Sequence, residues 1–411
     1  MVERAYKYRF YPTPEQERIL RRTMGCVRLV YNKALHARTS AWYDKQERMG
    51  YSQTSSLLTQ WKKREDLQFL NEVSCVPLQQ GLRHLQKAFT NFFAKRTGYP
   101  SFKKKRNGGS AEFTKSGFKF KDGQLWLAKC KEPLHIKWSR DLPGSATPST
   151  VTVKIDAWGR WFVSLFVNDQ TLNQLQKTSN SVGIDVGINT LITTSEGEKV
   201  SNPRHFKRLY QKLRRAQKSL SRKTKGSNNY KKACLQVAKV HAKIKDARTD
   251  FLHKLSTDLV RRYDLIAIED LAIKNMVKNR KLAQAISDVA WGELICQLDY
   301  KCQWYGKELV KIDRFFPSSK RCGNCGHTVE KLPLNIRQWE CPSCGSQHDR
   351  DLNASKNLEA AGLAMLACGA SVRPEKSKSR KATAKKQEPK LGNEPESIPA
   401  RKPQRIPRRE V

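Results

Sequence analysis

Cys322-Gly323-Asn324-Cys325, then fifteen residues, then Cys341-Pro342-Ser343-Cys344, leads straight into Gly345-Ser346-Gln347-His348-Asp349-Arg350-Asp351-Leu352-Asn353. Two Cys-x2-Cys knuckles at this separation supply four thiolates to one tetrahedral Zn²⁺. With all four positions taken by Cys322, Cys325, Cys341 and Cys344, the ion is expected to be structural rather than catalytic. Asp351 lies seven residues beyond the last cysteine, at the start of an apolar-periodic segment. An acid opening a helix directly after a metal ribbon reads as part of a catalytic site.

Working outward, charge limits the partner. Lys and Arg number 79 against 38 Asp and Glu, a net +41 on 411 residues, spread along the whole chain. Such a balance calls for a polyanion, and nucleic acid is the usual one. A membrane surface is the competing reading. No apolar run reaches spanning length, and Met1-Val2-Glu3-Arg4-Ala5 lacks a signal-peptide core, so no membrane partner and a cytoplasmic location are expected. Cys26, Cys75, Cys130, Cys234, Cys296, Cys302 and Cys368 are scattered without a paired pattern, which fits reduced thiols. Length predicts two or three domains, and 38% hydrophobic residues allow real cores.

The N-terminal half predicts a β structure interrupted by helices. Tyr6, Tyr8 and Phe10 alternate with Lys7 and Arg9, a strand that Pro12 and Pro14 end. Helical spacing follows in Leu20, Met24, Val27, Val30 and Leu35, and again from Pro77 through Leu78, Leu82, Leu85, Phe89 and Phe92. Short strands are predicted around 118–120, 125–127, 151–153 and 161–163. Residues 1–175 are therefore expected to form a small β-barrel with helices, about 13–97, inserted after its first strand.

A polar linker precedes a different pattern. Ser181-Val182-Gly183-Ile184-Asp185-Val186-Gly187 and Leu191-Ile192-Thr193-Thr194 predict a hairpin. Two basic helices, with apolar stripes through Phe206, Leu209, Leu213 and through Val237, Val240, Ile244, predict a helical arm over about 204–256 that packs on itself. Its Lys and Arg are either a solvated face or a nucleic-acid surface. Leu265–Asp270 and Leu309–Ile312 are buried strands, and a helix carrying Leu352, Leu358 and Leu363 follows Asp351. From 372 to 411 the chain lacks aromatics and is densely charged, which predicts a disordered basic tail.

Three acids then stand out. Asp185 sits between Ile184 and Val186, Glu269 ends a second apolar strand, and Asp351 opens the last helix. A charge inside an apolar strand is costly unless paired or bound to metal. Each has a plain structural reading as well: a turn residue beside Gly187, a helix cap at Glu269 or Asp270, an N-cap at Asp349 or Asp351. Taken in the order strand-Asp, strand-Glu, helix-Asp, they match an RNase-H-like nuclease core. In-line phosphodiester cleavage with two divalent cations about 3.5–4 Å apart needs oxygen ligands and no side-chain nucleophile. His348 reads as a local hydrogen-bonder.

Gly183-Ile184-Asp185-Val186-Gly187, Ile268-Glu269-Asp270-Leu271, Ser287-Asp288-Val289-Ala290-Trp291, Phe316-Pro317-Ser318-Ser319, the two knuckles and His348–Ser355 together resemble the TnpB proteins of bacterial insertion sequences. Gly98-Tyr99-Pro100-Ser101-Phe102-Lys103 is similar to that family's Gly-aromatic-Pro-x-Phe signature, and Ser355 stands where alanine is commoner. The resemblance covers about residues 3–365. It implies a RuvC-like nuclease, related to type V CRISPR effectors, that binds a guide RNA from its own element's end and cuts matching double-stranded DNA beside a short adjacent motif. Asp185, Glu269 and Asp351 would then hold catalytic Mg²⁺ or Mn²⁺, with Asp349 the competing choice for the third position. The expected architecture is a mixed α/β and β multidomain protein: a wedge-like β-barrel, then an RNase-H-like (RuvC) α/β domain over 181–365 with a zinc ribbon, 316–348, inserted. The chain is expected to act as a monomer in a ribonucleoprotein.

In the RNA-guided mode base pairing reads sequence, and the protein reads only the adjacent motif. Candidate readers are the polar clusters Tyr51, Gln53, Thr54, Ser55, Ser56 and Gln79, Gln80, since glutamine pairs bidentately with adenine. Helix caps and surface amides are the competing explanation. Two other functions remain open: a transposase using the same acids for strand transfer, and a non-catalytic nucleic-acid-binding regulator.

Overall fold

The computed structural model describes residues 2–368 apart from 106–107, 144–146, 170 and 172. The basic tail predicted over 372–411 lies outside the described residues. No helix among the described residues is long and apolar enough to cross a membrane.

Strand β1 (Val2–Tyr11) buries Tyr6, Tyr8 and Phe10 and turns Lys7 outward, the one-sided burial that alternation dictates. Thr13 stops the strand and starts α1 (Pro14–Lys45): its hydroxyl accepts from Gln16 N–H while the Gln16 side chain accepts from Thr13 N–H. α1 ends where Gln46 takes a left-handed φ of 57°. Helices α2 (Tyr51–Lys63) and α3 (Cys75–Phe93) complete the insertion. The three helices share a core of their own, built on Val30, Leu35, Leu58, Leu70, Leu78, Leu82 and Leu85.

β2 (Gly109–Thr114), β3 (Phe118–Lys121), β4 (Gln124–Leu127), β5 (His135–Lys137), β6 (Thr150–Ile155) and β7 (Trp161–Asp169) follow. Five strands make an antiparallel sheet in the order β2-β6-β7-β1-β5. The predicted barrel is therefore not closed: β2 and β5 are edges of an open sheet, and β3-β4 is a separate hairpin. Leu125 and Leu127 of that hairpin join Phe10, Phe113, Val153 and Leu165 in one core. Side-chain packing covers the sheet where hydrogen bonding was expected to close it.

The second half begins with β8 (Ser181–Val186), β9 (Thr190–Thr194) and β10 (Lys199–Ser201), then α4 (His205–Ser221) and α5 (Asn228–Arg262). β11 (Leu265–Glu269), α6 (Ile273–Met276), α7 (Ala283–Val289), α8 (Trp291–Tyr305) and β12 (Glu308–Ile312) lead to the ribbon strands β13 (Gln338–Glu340) and β14 (Gln347–Asp349) and to α9 (Arg350–Ala367). The sheet order is β10-β9-β8-β11-β12, with β8, β11 and β12 parallel and β9 antiparallel to β8 and β10. Leu265, Ile266, Ala267 and Ile268 are all buried, because both faces of this sheet are covered. Leu252, Leu259, Leu294 and Leu298 of α5 and α8 pack with Val182, Ile184 and Ile266, while Leu358 of α9 packs with Leu265, Val310 and Ile312.

The predicted arm is a helical hairpin with a small core of its own around Leu213, Val240 and Ile244. The C-terminal half of α5 leaves the arm and joins the sheet core. Buried Asp288 anchors the start of α4, accepting from Phe206 N–H at 3.0 Å and from Arg248 at 3.1 Å.

Candidate active site

Strand register brings the first two acids together. Ile184 of β8 pairs with Ile268 of β11 in parallel, so Asp185 and Glu269, each the next residue, leave the carboxyl ends of adjacent strands. Open sheets of parallel strands commonly bind ligands at this end.

The third acid arrives by close packing of α9 on β8. A Cβ at Gly183 would collide with the Ser355 carbonyl oxygen and lie 2.6 Å from Glu359 N, so only glycine lets helix and strand approach this closely. At the far end of α9 a Cβ at Gly362 would fall 2.6 Å from Ala267 Cβ. Ser355, the departure from the commoner alanine, is buried with its hydroxyl turned back to Leu352 O at 2.8 Å.

Asp185, Glu269 and Asp351 line one cavity of about 790 Å³, together with Lys199, Arg314, Lys320, Arg337, Asp349 and Arg350. Burial, and then the charges of Asp351 and Glu269, push Asp185 up to about 7. Burial, and then Asp270, also raise Glu269. A carboxylate pushed up in this way by its neighbours is a group that a bound cation relieves.

Asp349 and Asp351 have different surroundings. One Asp349 oxygen accepts from Asp351 N–H at 3.1 Å and Leu352 N–H at 3.0 Å, making it the N-cap of α9, and the other meets Lys199 Nζ at 2.8 Å. Burial works to raise Asp349, but Lys199 and the capping amides hold it low. Both Asp351 oxygens face Arg337, at 3.0 and 3.2 Å. Among the described residues the three acids are not drawn into a group as tight as the cysteines, whose four sulfur atoms lie within 4.8 Å of one another.

The cysteine cluster fits the ion predicted for it. Cys322 and Cys344 Sγ are 3.7 Å apart and Cys325 and Cys341 Sγ 3.6 Å, near the edge of about 3.8 Å for a tetrahedron with 2.3 Å Zn–S bonds. His348, paired with Trp339 across β13-β14, places Nε2 3.0 Å from Cys322 Sγ.

Among the candidate motif readers, two have local structural roles. The Gln53 side chain accepts from Gly50 N–H, and buried Thr54 donates to Tyr51 O at 2.9 Å, so both shape the start of α2. Tyr51 carries Arg83 over its ring at 5.4 Å, which sets α2 beside α3. Ser56 and Gln79 are exposed and Ser55 and Gln80 half-buried. Sequence reasoning missed the cations of the cavity. Arg337 and Lys199 are single basic residues in a chain full of them, and no spacing ties either to an acid far along the sequence.

A family model described as "Probable transposase" matches residues 163–280, one described as "Cas12f1-like, TNB domain" matches 291–358, and one described as "Helix-turn-helix domain" matches 1–47. The last of these spans β1 and the single long helix α1. The chain is 59% identical to a "Putative RNA-guided DNA endonuclease" of Streptomyces pristinaespiralis, covering 94% of this chain and 96% of that one. It is 31% identical to "Putative RNA-guided DNA endonuclease InsQ" of Escherichia coli K12, covering 89% and 94%. Among solved structures, Cas12f1 in its complex with sgRNA and target DNA matches with a TM-score of 0.54 at 13% identity, covering 87% of this chain and 98% of that one. That likeness is one of fold, and it agrees with the mixed α/β multidomain architecture.

Proposed function

The chain belongs to the TnpB family of RNA-guided DNA endonucleases, and from that premise we propose that it hydrolyses DNA phosphodiesters with divalent metal held by Asp185, Glu269 and Asp351. The second half, 181–365, is on this reading an RNase-H-like RuvC nuclease core. The observation that carries it is the convergence of three carboxylates, from two adjacent parallel strand ends and the first turn of α9, on one cavity edged with cations. Hard oxygen donors and a carboxylate raised by burial and then by neighbouring acids suit Mg²⁺ or Mn²⁺. When bound, such ions supply an activated water and stabilise the charge on the leaving oxygen.

The chain's own groups do the rest. Lys199, Arg314, Lys320 and Arg350 bind and orient the scissile backbone, and Arg337 screens Asp351. Asp349 caps α9 and holds Lys199 beside the cavity. Cys322, Cys325, Cys341 and Cys344 hold a structural Zn²⁺. The guide is an RNA from the element's own end, carried by a monomer, and the N-terminal sheet with α1–α3 is the wedge and recognition region. Reading of the adjacent motif falls to Tyr51, Ser55, Ser56, Gln79 and Gln80, with Gln53 and Thr54 as their scaffold.

The test is to express the gene with its native flanking DNA, purify the protein, sequence the RNA it carries, and offer a matching duplex with Mg²⁺. A discrete RNA and cutting confined to matched DNA support the reading. Heterogeneous RNA with no guided cutting overturns it. The match to a model described as "Probable transposase" keeps strand transfer as a second reading, which joined rather than cut ends would reveal.

A further inference from the structure

Ser318, within Phe316-Pro317-Ser318-Ser319, and the asparagines of α9 have no part in the chemistry above, yet they meet in one buried network. Asn353 and Asn357 are 3% and 5% exposed, and they sit one turn apart on the helix that carries Asp351 in its first turn. Asn353 Nδ2 and Asn357 Nδ2 both donate to Arg321 O, each at 2.7 Å. Asn353 Oδ1 accepts from Gly323 N–H at 2.9 Å, and Asn357 Nδ2 also donates to Ser318 O at 2.8 Å. These partners flank Cys322, itself fully buried, while Ser318 lines the acidic cavity. Gly323 completes the fit, because a Cβ there would lie 3.0 Å from Asn353 Oδ1.

We infer that Asn353 and Asn357 are positioning residues that lock the first zinc knuckle to α9, so that metal binding at the four cysteines sets where Asp351 stands in the active site. The inference rests on the nuclease reading for its activity arm and on the hydrogen bonds alone for its structural arm. Zinc fixes the Cys322–Cys325 turn, the turn presents Arg321 O and Gly323 N–H, and the two amides transmit that position to the helix. Buried amides suit the task, since a displaced knuckle would leave their donors unpaired. Two further contacts run the same way: Arg337, between the knuckles, reaches Asp351, and His348, the residue just before the α9 cap, meets Cys322 Sγ.

The test uses the full-length ribonucleoprotein and two near-isosteric changes, Asn353→Asp and Asn357→Asp. Each keeps the volume and replaces the amide donor by an oxygen facing a carbonyl. Wild type and variants are compared for zinc content, guide RNA affinity, kcat and KM on a matched duplex, and hydrogen exchange of the first α9 turns before and after zinc is removed by a chelator. The double variant is expected to retain one zinc and its RNA affinity, with KM unchanged and kcat lowered about 10²-fold, the scale of a 1 Å misplacement. In wild type, zinc removal accelerates exchange at Leu352–Leu358; in the double variant, exchange there is already fast and indifferent to zinc. A double variant with wild-type kcat, or wild-type α9 exchange that ignores zinc, overturns the inference. If wild type itself fails to cut, the nuclease reading falls, and the exchange experiment still decides the coupling.

Discussion

The two sheets solve different problems. In the first, antiparallel sheet, burial alternates along β1 and β7, and the outer face is left to Lys7, Arg9 and Lys154 around Phe162, with Lys245 and His241 of α5 across a cavity of about 700 Å³. In the second, parallel over β8, β11 and β12, helices cover both faces, and chemistry is displaced to the strand ends. On the proposed reading, one sheet offers a face to a polyanion and the other an edge to metal and a scissile phosphate. A protein with this charge can spread binding over many weak contacts, whereas catalysis needs a few groups held by register.

The sharpest way to break this contrast is Asp185→Asn. Cleavage should fall by at least about 10²–10³-fold, the scale for losing one group that stabilises developing charge, with RNA affinity unchanged. The melting temperature should hold or rise, because a carboxylate that burial pushes up to about 7 has been removed. Guided cutting at wild-type rate would show that the strand-end acids are structural.

Close approach is the next difference. Gly183→Ala should destabilise by about 3 kcal/mol or more, because the added Cβ meets the backbone of α9 rather than a movable side chain. Gly159→Ala, in the β6-β7 turn of the first sheet, meets nothing within 4 Å, and its φ of +86° should cost only about 1–2 kcal/mol. Denaturant melts of the two variants compare the regions directly, and equal losses would contradict the packing account.

On the outer face of the first sheet, Lys7→Glu with Lys154→Glu should leave stability nearly unchanged. RNA affinity should weaken, and the slope of log K against log salt should drop by about 0.7 for each phosphate that these lysines no longer neutralise. Anisotropy titrations across salt concentrations read this out, and an unchanged slope would make these lysines a merely solvated face.

The smallest effect concerns Lys301, a buried cation of the second region, which donates to His253 O, Ser256 Oγ and Thr257 Oγ1 at 2.6–2.8 Å. Burial, and then Arg4, bring it down to about 8 from 10.5. Between these values the unfolded chain binds more protons than the folded one, so stability rises with pH from about 8 toward 10.5. Below pH 8 both states are protonated and the penalty is fully present. Lys301→Met should flatten that rise in melts taken across the range; a rise that persists would assign it elsewhere.

Much of this was legible in the chain. Tyr6, Tyr8 and Phe10 announced a strand with one buried face, and Leu265–Ile268 a strand with two, because side-chain period reports burial directly. The cysteine spacing announced the four-sulfur cluster for the same local reason: each knuckle is a single turn. The open edge between β2 and β5 was not legible, since alternation tells which face is buried but not which strand is the neighbour. Nor was Arg337, whose partner Asp351 lies across the ribbon hairpin.

The sequence by itself determined the periodic elements, the zinc-type knuckles and the polyanion-seeking charge, which depend on neighbours a few residues apart. Only the tertiary structure decided that the first sheet stays open, that Asp349 caps α9 while Asp351 pairs with Arg337, and that Asn353 and Asn357 hold the knuckle. Each of those rests on hydrogen-bond partners and steric room supplied by distant segments, and a one-dimensional pattern carries no record of which segment arrives to meet them.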